Sequence, residues 1–242
     1  AEPHAHLDKA FSWNRSPNLK GSYKEALAAN FTDYKSRSQD QLIFSIEKSL
    51  NLALINGIRA IRSHIDSFGE NAIKDWDLLE NVRKKWRKKI FLQFVALVPL
   101  EFWQTYEGEL LAQRVAFSGD LLGGVITPPF NKKKTIKSLF NLLQLANRLN
   151  CDIDLHIDES QHFPAAGLKL LLEVLGNIKN EISITCSHLS SMSLLREKAI
   201  SHLAKKLAMN NLNVVALPLT NSWLLGRNDR STLIKRPLAP IS

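Results

Sequence analysis

Residues 151–159 read C-D-I-D-L-H-I-D-E, and this stretch decides how the rest of the chain is read. It opens with a β-rich run of strand length, Cys151–Ile157, and closes on three side chains that carry chemistry: His156, Asp158 and Glu159. Runs of the same kind recur at Ile58–Ile65, Ile90–Val98, Leu121–Ile126, Ile182–Cys186 and Leu212–Leu217, and a short strand at Glu2–His6 makes seven. Between them lie longer segments with helical spacing. Gln41–Asn56 sets Leu42, Ile46, Leu50 and Ala53 on one stripe, and Thr135–Leu149 does the same with Leu139, Leu142, Leu143 and Ala146. Leu168–Ile178 and Leu194–Met209 fit two more helices, and Asn56-Gly57 and Asn210-Asn211 stand where helix C-caps belong. Strand alternating with helix predicts parallel β-α-β units. Seven strands fit either an open doubly wound sheet or a (β/α)₈ barrel lacking its last unit. No repeat, Pro-rich linker or low-complexity stretch marks a second domain, so residues 1–242 are expected to form one.

The polar residues at the strand ends break the tie in favour of a barrel, whose chemistry sits at that face. The first strand ends H-A-H-L-D (His4, His6, Asp8) and the second S-H-I-D (His64, Asp66). The fifth ends L-H-I-D-E and the sixth T-C-S-H (His188). Each residue also has a plainer reading. In H-x-H on a strand the period of two puts His4 and His6 on one face, able to reach one cation, though a surface hairpin would look the same. His156 could be a satisfied core histidine, His188 a loop cap, and Glu159 an acid facing a helix dipole. His64 reads as structural or supporting rather than as a ligand, and His162 and His202 as surface residues. Taken jointly, the strand-end pattern points to a metal site.

Composition bounds the remaining choices. At 45% apolar and 23% charged residues the 242-residue chain can bury a core, and it has no apolar stretch near the ~20 residues that span a bilayer. It opens A-E-P-H without a signal-peptide pattern, and two cysteines, Cys151 and Cys186, build no disulfide framework, so a cytoplasmic setting is expected. The net charge of +9 gathers in R-K-K-W-R-K-K at 83–89 and K-K-K at 132–134. With no nucleic-acid module beside them these runs read as solvated helix faces, and nucleic acid is not an expected partner. Assembly into a homo-oligomer is left open.

The ordered series H-A-H-L-D (4–8), W-N-R-S-P-N-L (13–19) and G-I-R-A-I-R-S-H-I-D (57–66) resembles the amidohydrolase superfamily, most closely its cytosine deaminase branch. The likeness continues through Q-F-V-A-L-V-P-L-E (93–101), L-H-I-D-E, C-S-H-L-S-S-M (186–192) and P-L-T-N-S-W-L-L-G-R (218–227). The resemblance implies one divalent metal, zinc or iron, held by His4, His6 and His156. It further implies Glu159 as the proton shuttle, His188 holding the attacking water, and Leu19 lining the pocket. Asp158 joins the expected substrate contacts. The fourth strand, L-L-G-G-V-I, contains no Lys, which favours one metal over two.

Two departures matter. Where cytosine deaminases carry P-Q-E, this chain has Pro99-Leu100-Glu101, so Leu100 is expected to replace a base-reading amide and to disfavour cytosine. An eighth strand ending in a metal-binding Asp and the small β domain of amidohydrolases are not found, so a longer polypeptide or a companion segment is expected to close the barrel. The expected function is hydrolytic deamination of an amino-substituted nitrogen heterocycle. The alternatives are hydrolysis of a cyclic amide or alkylamino-triazine-type ring, and a degenerate barrel that binds a ligand or nucleic acid without turnover.

Overall fold

A computed structural model of the chain describes residues 1–69, 71–225, 227–228, 231–232 and 237–241. Seven strands form one sheet: β1 (Glu2–Ala5), β2 (Ala60–Asp66), β3 (Phe91–Leu97), β4 (Leu121–Ile126), β5 (Ile153–Ile157), β6 (Ile184–His188) and β7 (Leu212–Val215). All neighbours pair in parallel and the spatial order is the sequence order. A doubly wound sheet reverses its order at a switch point. This one does not.

Side chains of strands that are not neighbours meet across the sheet, which shows that it curls. Arg62 of β2 donates to Asp154 of β5 at 2.8 Å and to Thr185 of β6 at 3.0 Å. His4 of β1 lies 2.9 Å from Ser187 of β6. The architecture is therefore the α/β half-barrel of the (β/α)₈ class, and a separate two-stranded antiparallel pair joins Arg227–Asn228 to Ser231–Thr232.

Among the described residues eight α-helices accompany the sheet: α1 (Tyr23–Ser36), α2 (Gln39–Ile55), α3 (Ala72–Trp86), α4 (Tyr106–Phe117), α5 (Lys132–Leu149), α6 (Ala166–Leu175), α7 (Glu197–Met209) and α8 (Pro218–Leu224). Their starts follow side-chain chemistry. Ser38 and Gln41 form a reciprocal capping box on α2, and Asn131 accepts from the Lys134 amide at the head of α5. Asn56 caps α2, and Gly57 beyond it takes a φ of +80°, a left-handed turn that favours glycine.

Strand alternation divides the side chains into two layers. Leu122, Ile153, Leu155, Ile157, Ile184 and Cys186 form the outer face with Leu139, Leu142, Leu143 and Ala146 of α5 and Leu168 and Leu171 of α6, all fully buried. Each such leucine contributes about 1.5–3 kcal/mol by leaving water. The inner face carries the polar side chains Arg62, His64, Gln93, Asp154, His156, Thr185 and Ser187. Its register is fixed by the ladders Arg62↔Gln93, Asp154↔Thr185 and His156↔Ser187.

Several boundaries differ from the sequence reading. β1 stops at Ala5, so His6 stands just past the strand, at the head of a short 3₁₀ turn over Leu7–Lys9. β6 runs on to His188, and a 3₁₀ turn over Ser190–Leu194 delays α7 to Glu197.

The basic runs are largely spoken for. Arg83 binds the Asp120 carboxylate and the Ser118 carbonyl, Lys85 meets Glu47 at 2.8 Å, and Lys89 lies over the Trp86 ring. This run leads into β3 and so lies at the end of the barrel opposite the strand C-termini. Lys132 pairs with Glu173 at 2.9 Å and Lys134 with Glu101 at 3.6 Å. No helix among the described residues is long and apolar enough to cross a membrane.

Candidate active site

The strand C-termini bring five histidines together. His4 comes from β1, His64 from β2, His156 from β5 and His188 from β6, with His6 just beyond β1. Ring centroids lie 4.0 Å apart for His4 and His64, 4.7 Å for His4 and His156, and 5.0 Å for His156 and His188. His6 stands 5.2 Å from both His4 and His156. His188 reaches the cluster from a strand-end kink, where it and Leu189 take φ values of +78° and +47°. His162 and His202 stand exposed, as their contexts suggest.

Burial keeps four of these histidines uncharged. It pushes His4, His6 and His156 well below the ordinary imidazole range, with the neighbouring histidines adding to the effect, and it holds His188 at about 3. Each neutral imidazole carries one N–H and offers one lone pair, and at His188 that lone pair, on Nδ1, already accepts from Asn221. His4 Nε2, His6 Nδ1, His156 Nδ1 and His188 Nε2 are buried without a hydrogen-bond partner, a costly state for polar atoms. His6 Nε2 faces His156 Nε2 at 3.2 Å. That is near the ~3.3 Å that separates two ligands on a tetrahedral ion with Zn–N bonds of ~2.0–2.1 Å. Two sets of ring nitrogens gather within 4.8 Å: His4, His156 and His188, and His4, His6 and His64. The donor set fits a divalent ion.

Glu159 is buried beside His188, with Oε1 3.4 Å from its Nδ1. Burial pushes the Glu159 carboxyl up to about 8, and Lys9 draws it partly back, so it can hold a proton near neutrality. Asn221 of α8 donates to His188 Nδ1 at 3.0 Å. Tyr23 lies in the first turn of α1. Its phenol is pushed up to about 12 by burial and then by the field of Glu159. Val125, beside His156 in the ladder and 38% exposed, offers an apolar wall on the same inner face.

Of the three expected substrate contacts, Asp158 and Leu100 are turned away from the cluster. Asp158, with φ of +57°, accepts the amides of Gly167 and Leu168 at 2.8 and 2.9 Å, one on each oxygen. It caps α6 instead of facing the cluster, and burial lifts its carboxyl to about 6 against those two hydrogen bonds. Leu19 lies in the loop before α1, 80% exposed.

Leu100 heads a 3₁₀ turn over Leu100–Gln104 and is buried on the outer face. It packs over Gly124, whose ladder partner Leu155 points the same way. A Cβ on Gly124 would come within 2.6 Å of Leu100 Cδ2 and 3.3 Å of Leu155 Cδ2. The paired glycines of β4 thus serve packing: Gly123 turns inward, and its carbonyl accepts Trp103 Nε1 at 2.8 Å. We expect Leu100→Gln to bury an unpartnered amide and cost about 1–3 kcal/mol, read by denaturant unfolding, with no change in substrate preference. A switch in preference at unchanged stability would return Leu100 to the pocket.

Sequence reading passed over the polar layer beneath the histidines. Asp154 Oδ1 accepts Ser187 Oγ–H at 2.8 Å, and Oδ2 accepts Arg62 at 2.8 Å. Arg62 also donates to Gln93 Oε1 at 2.8 Å. The signal was present in the strand period, because Asp154 stands two residues before His156.

No family model matches the chain. It is 31% identical over 239 residues to a pterin deaminase of Rhizobium rhizogenes (strain K84), a match covering 96% of this chain and 53% of that protein. Its homologues are amidohydrolases. An N-isopropylammelide isopropyl amidohydrolase of Pseudomonas sp. (strain ADP) is 22% identical over 169 residues, 65% of this chain and 40% of that one. The fold recurs in a crystal structure of 5-methylcytosine deaminase from Klebsiella pneumoniae liganded with 5-fluorocytosine. That structure has a TM-score of 0.81 and 24% identity, over 98% of this chain and 57% of that one. The chain spans about half the length of the curated relatives it matches. Within the matching stretch 218–227, Gly226 lies outside the described residues.

Proposed function

We propose that the protein is a metal-dependent hydrolytic deaminase of an amino-substituted nitrogen heterocycle. One observation carries this reading: His4, His6, His156 and His188 converge at the strand C-termini with the buried acid Glu159 beside them. His4, His6 and His156 would hold one divalent ion, zinc or iron. When bound, such an ion polarises a water and lowers its pKa towards neutrality. The chain's own groups do the rest. Glu159 would give its proton to a ring nitrogen, take one from the attacking water and pass that one to the departing amine, and its raised pKa keeps the first proton available near pH 7. His188, fixed by Asn221, orients the attacking water.

The ring is better drawn as pterin-like than as cytosine, because pterin deaminase is the relative with 31% identity. A second reading, removal of an alkylamine from a triazine-type ring, draws on the weaker N-isopropylammelide relative. The proposal includes one barrel domain over residues 1–242, no nucleic-acid partner, and a cytoplasmic setting for the free, buried Cys151 and Cys186.

Substrate assays on the zinc- or iron-loaded whole protein test the reading. We expect ammonia release from a pterin, with kcat/KM at least about tenfold above that for cytosine, a gap of ~1.4 kcal/mol. Alkylamine release from N-isopropylammelide without ammonia from any ring would favour the second reading. A metal-loaded protein inert on the whole panel would indicate a barrel that binds without turnover.

A further inference from the structure

We propose that Asp154 and Ser187 form a relay that fixes the His4 imidazole as its Nδ1–H tautomer and so presents a bare Nε2 to the metal. The inference rests on the metal site proposed above. The Ser187 hydroxyl has one hydrogen, and it goes to Asp154 Oδ1, an acceptor, at 2.8 Å. At its other contact, His4 Nδ1 at 2.9 Å, Ser187 Oγ must therefore accept, so the hydrogen resides on His4 Nδ1. His4 Nε2 is then left with its lone pair, and it is one of the buried nitrogens without a partner.

The anchor of the relay is well held. Asp154 is fully buried, its second oxygen takes the Arg62 guanidinium at 2.8 Å, and Arg62 in turn is tied to Gln93 and Thr185. His64 completes the packing. Its ring lies against His4 with centroids 4.0 Å apart, and its Nε2 is 3.3 Å from Asp154 Oδ1. His64 thus braces the ring plane of His4 while Ser187 sets its tautomer. Partners of this kind, one bond removed from the ion, typically change metal affinity 10–100-fold when lost.

The test uses the whole protein and zinc alone. Chelator competition should show zinc binding weakened roughly 10–100-fold in Ser187→Ala, with Ser187→Thr, which keeps the hydroxyl, within a few-fold of the parent. Nitrogen-15 histidine spectra of the metal-free parent should show His4 as the Nδ1–H tautomer. Ser187→Ala binding zinc as tightly as the parent, or His4 carrying its proton on Nε2, would overturn the relay. Should Ser187→Ala fail to fold, the parent's spectrum decides alone. A parent that binds no zinc but shows His4 as Nδ1–H would remove the metal site and leave the relay standing, so the two failures are distinct.

Discussion

Glu159→Gln in the metal-loaded protein should lose about 10²–10⁴-fold in kcat, the usual cost of removing a general acid–base, while keeping its fold and its metal. Gln matches Glu in shape, so contacts around His188 and Tyr23 persist. What disappears is the titrating proton, in a carboxyl that burial holds at about 8. A second readout follows from the same shift. Because the folded-state value lies above the ordinary 4.5, the native metal-free protein binds the extra proton between those limits. Its stability therefore falls as pH rises from about 4.5 through about 8. The Gln variant should lack that fall, as melting temperature against pH will show. Turnover within a few-fold of the parent would reduce Glu159 to a buried structural acid.

His156→Ala should empty the metal site. His156 is buried in the cluster, its Nε2 faces His6 at 3.2 Å, and its ring neighbours those of His4, His64 and His188. On the proposed assignment, removing it takes away one ligand and breaks the edge that sets the spacing of a second. Elemental analysis of the purified parent should find close to one equivalent of zinc or iron, and of the variant almost none. Equal occupancy in the two would mean that the metal, if present, lies elsewhere.

The strands were legible because their apolar faces are continuous. The outer layer of Ile153, Leu155 and Ile157 is fully buried, and a run of that kind has no other use in a domain of this size. The histidines were legible because polar residues at successive strand ends leave a regular mark. α1 was not, because it buries only Asp33 and presents no apolar stripe for periodicity to find. It is held by polar ties instead: Arg15 to Asp33 at 2.8 Å, Asn30 to Asp66 at 2.8 Å, and the Tyr34 hydroxyl to the Phe68 carbonyl. Tyr23 was missed with it.

Asp158 and Leu100 failed for a different reason. Each sits just past a strand, where the period of two no longer says which way a side chain points. At Asp158 a left-handed backbone turns the carboxylate onto α6, and at Leu100 a 3₁₀ turn drops the side chain behind β4. Arg62, Asp154 and Ser187 lie within strands, where the alternation does hold, and a stricter reading of it would have placed them under the histidines.

The contacts that complete the histidine cluster span the chain: His6 to His156 is a separation of 150 residues, and His4 to Ser187 one of 183. At a ribosomal pace of ~5–20 residues per second, the partner of His4 emerges roughly 10–40 s after it. For that interval the His-x-His pair has no cage around it. A bare imidazole pair ranks cations by intrinsic affinity, with copper and nickel ahead of zinc, and only the later arrival of β5 and β6 imposes a geometry. On the proposed assignment, metal choice in this protein is a matter of timing during synthesis. Cells starved of zinc or iron while the chain is being made should yield protein carrying the wrong ion.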